Sequence, residues 1–146
     1  AKLRDLPRYE VLQPEYNLYD RSSYEGPLRD LCMAEGLGVI TYYSLASGFL
    51  SGKYRSVADL GKSPRGGGVK KYLDQRGMRI LAALDAVAAR HGAAPAEVAL
   101  AWIIAKPGVT APIASATSLE QMESLVRSAA LSLAAADIKE LDDASA

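Results

Sequence analysis

The spacing of apolar and polar positions divides the chain into extended and helical stretches in alternation. Residues 9–18, YEVLQPEYNL, are rich in Tyr, Val and Leu and broken by Pro14, which predicts a short strand running into a loop. In YEGPLRDLCMAEGLG, Leu28, Leu31 and Cys32 recur at helical spacing, Pro27 suits a first helical turn and Gly36 a cap, so a helix is expected over 25–36. VITYYS, at 39–44, is a β-branched and aromatic run with no helical period: a second strand, feeding the small-residue stretch LASGFLSG. From Gln75, residues Met78, Leu81, Leu84 and Ala88 form a helical stripe that ends at His91-Gly92. Pro95 restarts a helix through Ala105, whose VALAWIIA core is apolar nearly all round and must be buried on several sides. VTAPIAS, at 109–115, predicts a third strand, and TSLEQMESLVRSA an amphipathic helix with Leu119, Met122, Leu125 and Val126 inward. A last helix spans about 135–144, with Ile138 and Leu141 as its apolar side.

Strands separated by helices pair in parallel through right-handed crossovers, so the class is α/β: about three parallel βα units plus extra C-terminal helices. Three strands leave two sheet edges unpaired, a liability that closed barrels avoid. Between the second strand and the Gln75 helix, residues 55–74 carry several glycines and little periodicity, the pattern of a functional or mobile excursion. The 146 residues suffice for a single domain with one core. They fall short of the roughly 250 typical of a (β/α)8 barrel. Lys+Arg and Asp+Glu balance at 17 each, which removes the electrostatic drive that nucleic acids and anionic membranes supply. A single cysteine, Cys32, forms no intramolecular disulfide and suits a reducing, cytoplasmic setting. No apolar run approaches the roughly 20 residues of a membrane span. The first residue is Ala rather than Met, which points to a processed, tagged or excised chain.

Loops that leave the carboxyl ends of parallel strands gather where ligands bind. The first presents Gln13, Tyr16 and Asn17: amides able to hold a carboxamide in one orientation, or else a turn built on Asn17 with Tyr16 in the core. The second places Tyr42 and Tyr43 at a strand end, then small residues, then Lys53, which suits an aromatic ring joined to phosphates, or simply strand propensity and a flexible loop. The third, PIASATSLEQ, enters a helix N-terminus, where backbone N–H groups and the helix dipole favour an anion. Ser118 and Gln121 there also satisfy the S-x-x-Q capping box. His91 lies at a helix end away from these loops, where it complements the helix C-terminus, while Trp102 and Cys32 read as core. Neither a metal-ligand spacing nor a nucleophile elbow is present.

QPEYNLYDR, YYSLASGFLSGKY, VALAWIIAKPGVTAPI and SATSLEQ, in this order and spacing, resemble the aldo-keto reductases of bacterial type across about residues 7–145. The resemblance implies the C-terminal half of a TIM (β/α)8 barrel, from the family's sixth strand onward, in enzymes that reduce carbonyls with NADPH. By that resemblance Gln13 contacts the nicotinamide carboxamide and Tyr42 stacks on the ring. Leu45, Gly48, Leu50 and Lys53 match the loop over the pyrophosphate, and Ser115, Ala116, Thr117, Ser118 and Gln121 the segment around the adenosine ribose. The family's frequent Tyr-Ser-Pro-Leu reads Tyr42-Tyr43-Ser44-Leu45 here, its Pro-Gly reads Ala114-Ser115, and its Asn four residues after the Gln is Leu125. No Arg occupies the 2′-phosphate segment, so NAD is the alternative to NADP.

The family's catalytic Asp, Tyr, Lys and His lie on its first four strands, and none of this chain's eight tyrosines matches the acid catalyst. The expectation is therefore a cofactor-binding half-barrel that is silent by itself and is completed by an N-terminal half-barrel or derived from a longer enzyme. The alternative is a self-associating, non-enzymatic half-barrel whose open edges pair with a second copy. A subunit that senses nicotinamide redox state is a third option, because some family members act that way.

Overall fold

The computed structural model describes residues 1–63 and 66–146. Three strands, β1 (Val11–Leu12), β2 (Gly38–Thr41) and β3 (Ala111–Pro112), form a parallel sheet in chain order. Among the described residues six α-helices accompany them: α1 (Pro27–Ala34), α2 (Gly66–Val69), α3 (Gln75–His91), α4 (Pro95–Ile104), α5 (Leu119–Ala130) and α6 (Ala135–Ser145). Among the described residues the sheet is open at both edges.

The outer strands are shorter than the apolar runs at 9–18 and 109–115 predict, because each has a neighbour on one side only and each meets a proline, which has no N–H to donate. Pairing nevertheless continues past their ends. Glu15 bridges Tyr42, Thr110 N donates to the Val39 carbonyl at 2.8 Å, and Ile113 N donates to the Thr41 carbonyl at 2.7 Å.

Register sorts the side chains between two faces, because alternate residues of a strand point oppositely. Leu12 pairs with Val39 and Thr41 with Pro112, on the face covered by helices, where Val39 and Thr41 are fully buried. Val11, Gln13, Ile40, Tyr42, Ala111 and Ile113 share the other face, and Val11, Tyr42 and Ile113 remain 52, 38 and 41% exposed. The core thus lies between the sheet and its helices, while the opposite face stays open.

α4 is buried at every position from Glu97 to Ile103, as its all-round apolar character requires, with α3 and α5 against it. α3 has the expected stripe, with Leu81, Leu84 and Ala88 buried and Met78 packed against the core. α6 seats Leu141 and Ile138 against α3. One expectation is corrected. On α5, Leu119, Met122 and Val126 point outward, 75, 52 and 64% exposed, because this helix beside the edge strand has a helical neighbour, α4, on the side presented by Ser124, Leu125 and Ser128. Within the 55–74 excursion, Val69 and Tyr72 are fully buried and Tyr72 stacks on Phe49 with centroids 5.3 Å apart, so its later part is anchored to the core. Pro64 and Arg65 of that excursion lie outside the described residues. Among the described residues no helix is long and apolar enough to cross a membrane.

Candidate cofactor-binding site

Backbone hydrogen bonds hold the three loop entrances together at the carboxyl edge of the sheet. Tyr42 N donates to the Pro14 carbonyl at 3.0 Å, Tyr16 N to the Tyr42 carbonyl at 3.2 Å, and Ile113 N to the Thr41 carbonyl at 2.7 Å. Gln13, Tyr42 and the start of the 113–118 segment therefore emerge side by side, with Gln13 and Tyr42 on the open face. The Gln13 carboxamide is exposed and has no hydrogen-bond partner among the described residues, so it is free for a ligand.

Tyr16 and Asn17, the other polar groups of this loop, are structural. Tyr16 is buried, stacks on Trp102 with centroids 5.4 Å apart, and donates to Glu25 Oε1 at 2.6 Å. Asn17 is fully buried; its Oδ1 accepts from Tyr19 N at 2.8 Å and Asp20 N at 2.9 Å, and its Nδ2 donates to the Tyr43 carbonyl at 3.1 Å. One side chain thus closes its own turn and clamps the neighbouring loop.

The 42–53 loop carries an unusual run of left-handed backbone: Tyr43, Ala46, Ser47, Gly48 and Gly52 all have positive φ. Non-glycine residues in that region cost about 1–3 kcal/mol each and persist where the surroundings impose them, a pattern concentrated at ligand-contacting loops. Leu45 and Gly48 are half-buried and Lys53 is exposed. A Cβ on Gly48 would lie 3.2 Å from Lys53 Cε and 3.3 Å from its Nζ, so the missing side chain lets the ammonium lie close against the loop backbone. Leu50 differs from the rest of its set: its side chain is fully buried in the core, which leaves only its backbone at the loop.

At the third loop, Ser115, Thr117 and Ser118 are exposed and Ala116 is half-buried. The Ser118 hydroxyl caps α5 by accepting from Gln121 N at 3.3 Å. Gln121 Oε1 reaches back to Thr117, accepting from its N at 2.9 Å and its hydroxyl at 3.2 Å. The capping pair is present, with Gln121 holding Thr117 rather than the Ser118 amide.

Around Trp102 lies a polar network that local patterns give no sign of, because its members are far apart in sequence. Arg21 grips Glu25 through two bonds of 2.9 Å and donates to Ser145 Oγ at 2.6 Å; Trp102 Nε1 donates to Asp142 Oδ1 at 3.0 Å, and Lys106 Nζ donates to Asp142 Oδ2 at 2.7 Å. Burial, reinforced by the Glu25 carboxylate, pushes the Tyr16 phenol well above its ordinary value, and burial with Asp20 does the same to Tyr72. Neither gives up a proton near neutrality. His91 likewise serves structure: its Nε2 lies 2.8 Å from Asp137 Oδ2, on α6, so its partner is a carboxylate as well as the end of α3. Among the described residues no group of three His, Cys, Asp or Glu side chains could hold a metal.

The model of the Aldo/keto reductase family matches residues 2–146. Protein tas of Escherichia coli is 30% identical over 148 aligned positions, covering 97% of this chain and 41% of that protein. An uncharacterized oxidoreductase of Mycobacterium tuberculosis is 42% identical over 113 positions, covering 73% of this chain and 33% of that one. A crystal structure of a thermostable aldo-keto reductase in complex with the inhibitor epalrestat superposes with a TM-score of 0.67 at 22% identity, over 92% of this chain and 39% of that chain. The three-stranded open sheet is accordingly a part of the aldo-keto reductase barrel fold, and the chain spans well under half the length of these relatives. With nearly every residue matched by the family model, the chain belongs to the aldo/keto reductase family.

Proposed function

We propose that this chain forms, as one domain, the nicotinamide-binding side of an aldo-keto reductase active site in the cytoplasm. NADPH is the cofactor, with NADH the alternative, and the proton donor for carbonyl reduction comes from outside these residues. The supporting observation is that the Gln13 carboxamide, unpartnered among the described residues, and the exposed Tyr42 ring share the open face of the sheet. Gln13 offers a donor and an acceptor to the nicotinamide carboxamide, and Tyr42 offers a flat apolar platform to its ring. Lys53, close to Gly48, supplies positive charge to the pyrophosphate, with the backbone of Leu45, Gly48 and Leu50 around it. Ser115, Ala116, Thr117, Ser118 and Gln121 border the ribose. When bound, the cofactor supplies the hydride. The buried phenols of Tyr16 and Tyr72 keep their protons, which fits a donor located elsewhere.

Titration of the purified chain with NADPH and NADH, followed by cofactor fluorescence, tests this reading. Saturable binding without carbonyl reduction is expected, with reduction appearing when an N-terminal half of a family member is added. No saturable response to either cofactor refutes it.

Self-association of the half-barrel is a second reading, favoured by two open sheet edges and by exposed Val11, Leu31, Leu119, Met122 and Val126. A monomer by light scattering at micromolar concentration rules it out.

A further inference from the structure

Two residues past the end of β2 stands a residue that is in a costly conformation and has little to gain from it. Tyr43 has φ 57°, in the left-handed region that residues with a Cβ rarely adopt. Its carbonyl is held from two directions, accepting from Ala46 N at 2.7 Å and from Nδ2 of the fully buried Asn17 at 3.1 Å. The turn is therefore locked by the backbone and by Asn17, not by the Tyr43 ring. That ring is 52% exposed, and its hydroxyl makes no hydrogen bond among the described residues. Glycine or asparagine would hold the same backbone with less strain. What the locked turn accomplishes is to set the Tyr43 ring against Tyr42, with centroids 5.6 Å apart and planes at 77°.

Two rings that meet near a right angle form a corner. A planar heteroaromatic ring laid parallel to one wall meets the other nearly edge-on, the arrangement that aromatic quadrupoles favour. We infer that Tyr43 is a positioning residue for the nicotinamide end of the cofactor: the second wall of a corner whose floor is Tyr42, held in a strained turn by Asn17 so that the bound ring is fixed along its edge as well as its face. This rests on the cofactor reading given above and adds to it a residue with no counterpart in the Tyr-Ser-Pro-Leu pattern. The aromatic Tyr43 stands where that pattern has serine.

The test uses Tyr43→Asn, Tyr43→Gly and Tyr43→Phe in the full chain, with two ligands and one stability measurement. NADPH reports the whole cofactor, and 2′,5′-ADP, which lacks the nicotinamide, reports the adenosine end alone. The expected pattern is a 5- to 10-fold weaker NADPH affinity for the Asn and Gly variants, rescue to within 2-fold by Phe, and unchanged 2′,5′-ADP affinity throughout. Urea unfolding of Tyr43→Asn should show a folded state as stable as wild type or more so, because strain is relieved and no buried contact is lost. Equal NADPH affinity in all variants overturns the inference while leaving the cofactor reading standing. So does a Tyr43→Asn protein whose unfolding equilibrium constant rises more than 5-fold, since the ring would then be supporting the fold. A wild-type chain that binds 2′,5′-ADP but neither NADPH nor NADH, or none of the three, refutes the nicotinamide reading itself and removes the role for Tyr43 with it.

Discussion

Replacing Asn17 by alanine should cost more stability than its small side chain indicates. The wild-type amide is fully buried and serves two backbone N–H groups, of Tyr19 and Asp20, and the Tyr43 carbonyl. The carbonyl keeps its second donor, Ala46 N, so its loss is partial, whereas both N–H groups lose this acceptor. A buried polar group left unpaired costs about 1–3 kcal/mol. Tyr19 and Asp20 are half-buried, so water recovers part of this and the lower end applies to each. Adding the weakened clamp on Tyr43, a loss of about 2–4 kcal/mol is expected. With a urea dependence of about 2 kcal/mol per molar, the middle of the usual range, the unfolding midpoint should fall by about 1–2 M at unchanged slope. Asn17→Asp keeps the acceptor and puts a carboxylate where the donor was, facing Asp20 and the Tyr43 carbonyl. Burial and the like charge raise the folded-state pKa of the introduced carboxyl above its unfolded value, so this variant should be least stable at neutral pH and regain stability as pH falls through that raised value. If the cofactor reading holds, a Tyr43 loop that depends on Asn17 also predicts weaker NADPH binding in both variants. An alanine variant within 1 kcal/mol of wild type by urea titration would refute the clamp.

Gly77→Ala tests the packing of the first turn of α3: its Cβ would sit 1.8 Å from the Tyr72 carbonyl oxygen and 2.9 Å from Phe49 Cζ. Overpacking of about 1–3 kcal/mol should outweigh the roughly 1 kcal/mol gain in helix propensity, read as a lowered Tm. Asp137, hydrogen-bonded first by His91 and then by Arg90, has its carboxyl lowered to about 2. A depressed carboxylate pKa contributes stability that is fully present above the unfolded value near 4 and is lost as pH falls toward 2. Asp137→Asn should therefore be less stable than wild type at pH 6 by about 1 kcal/mol, after allowance for solvent screening, and the difference should shrink as pH falls below about 4 and vanish only below about pH 2 in thermal melts. Changing Leu119, Met122 and Val126 together to serine should leave the urea midpoint nearly unaltered, since all three are more than half exposed. If the self-association reading holds, the same change abolishes any dimer seen by light scattering.

The helices of the inner layer were legible because their periodicity is dictated by what surrounds them. α4 is apolar all round and is buried all round; α3 has one stripe and buries one stripe. α5 misleads for the same reason. Periodicity reports that Leu119, Met122 and Val126 share a face, and nothing in the spacing says whether another element covers it. The strand positions could be read from β-branched and aromatic runs, but not their lengths, because edge pairing ends where a proline or a missing neighbour ends it. Of the site, the loops could be located from strand-to-small-residue transitions, and the roles proposed for them come from the resemblance. The division of labour within QPEYN could not: Gln13 is open while Tyr16 and Asn17 are internal, and alternation beyond Pro14 does not distinguish them. Nor could the Arg21 contact with Ser145, which joins residues 124 positions apart.

Trp102 is the chain's one tryptophan, which makes its surroundings an optical instrument. The indole is fully buried, lies on Tyr16, bonds Asp142 of α6 through Nε1, and has the Lys106 ammonium 4.5 Å from its centroid. A chromophore with a cation at its ring and a carboxylate on its nitrogen emits from a single defined electrostatic setting. Its emission maximum should shift as soon as α6 leaves its seat, before α3 or α4 unfolds. Tyr16, its stacking partner, is bonded in sequence to Asn17, so a disturbance of the Tyr43 turn is also within reach of the same signal. Intrinsic fluorescence thereby separates fraying of the C-terminal helix from global unfolding, with no label introduced.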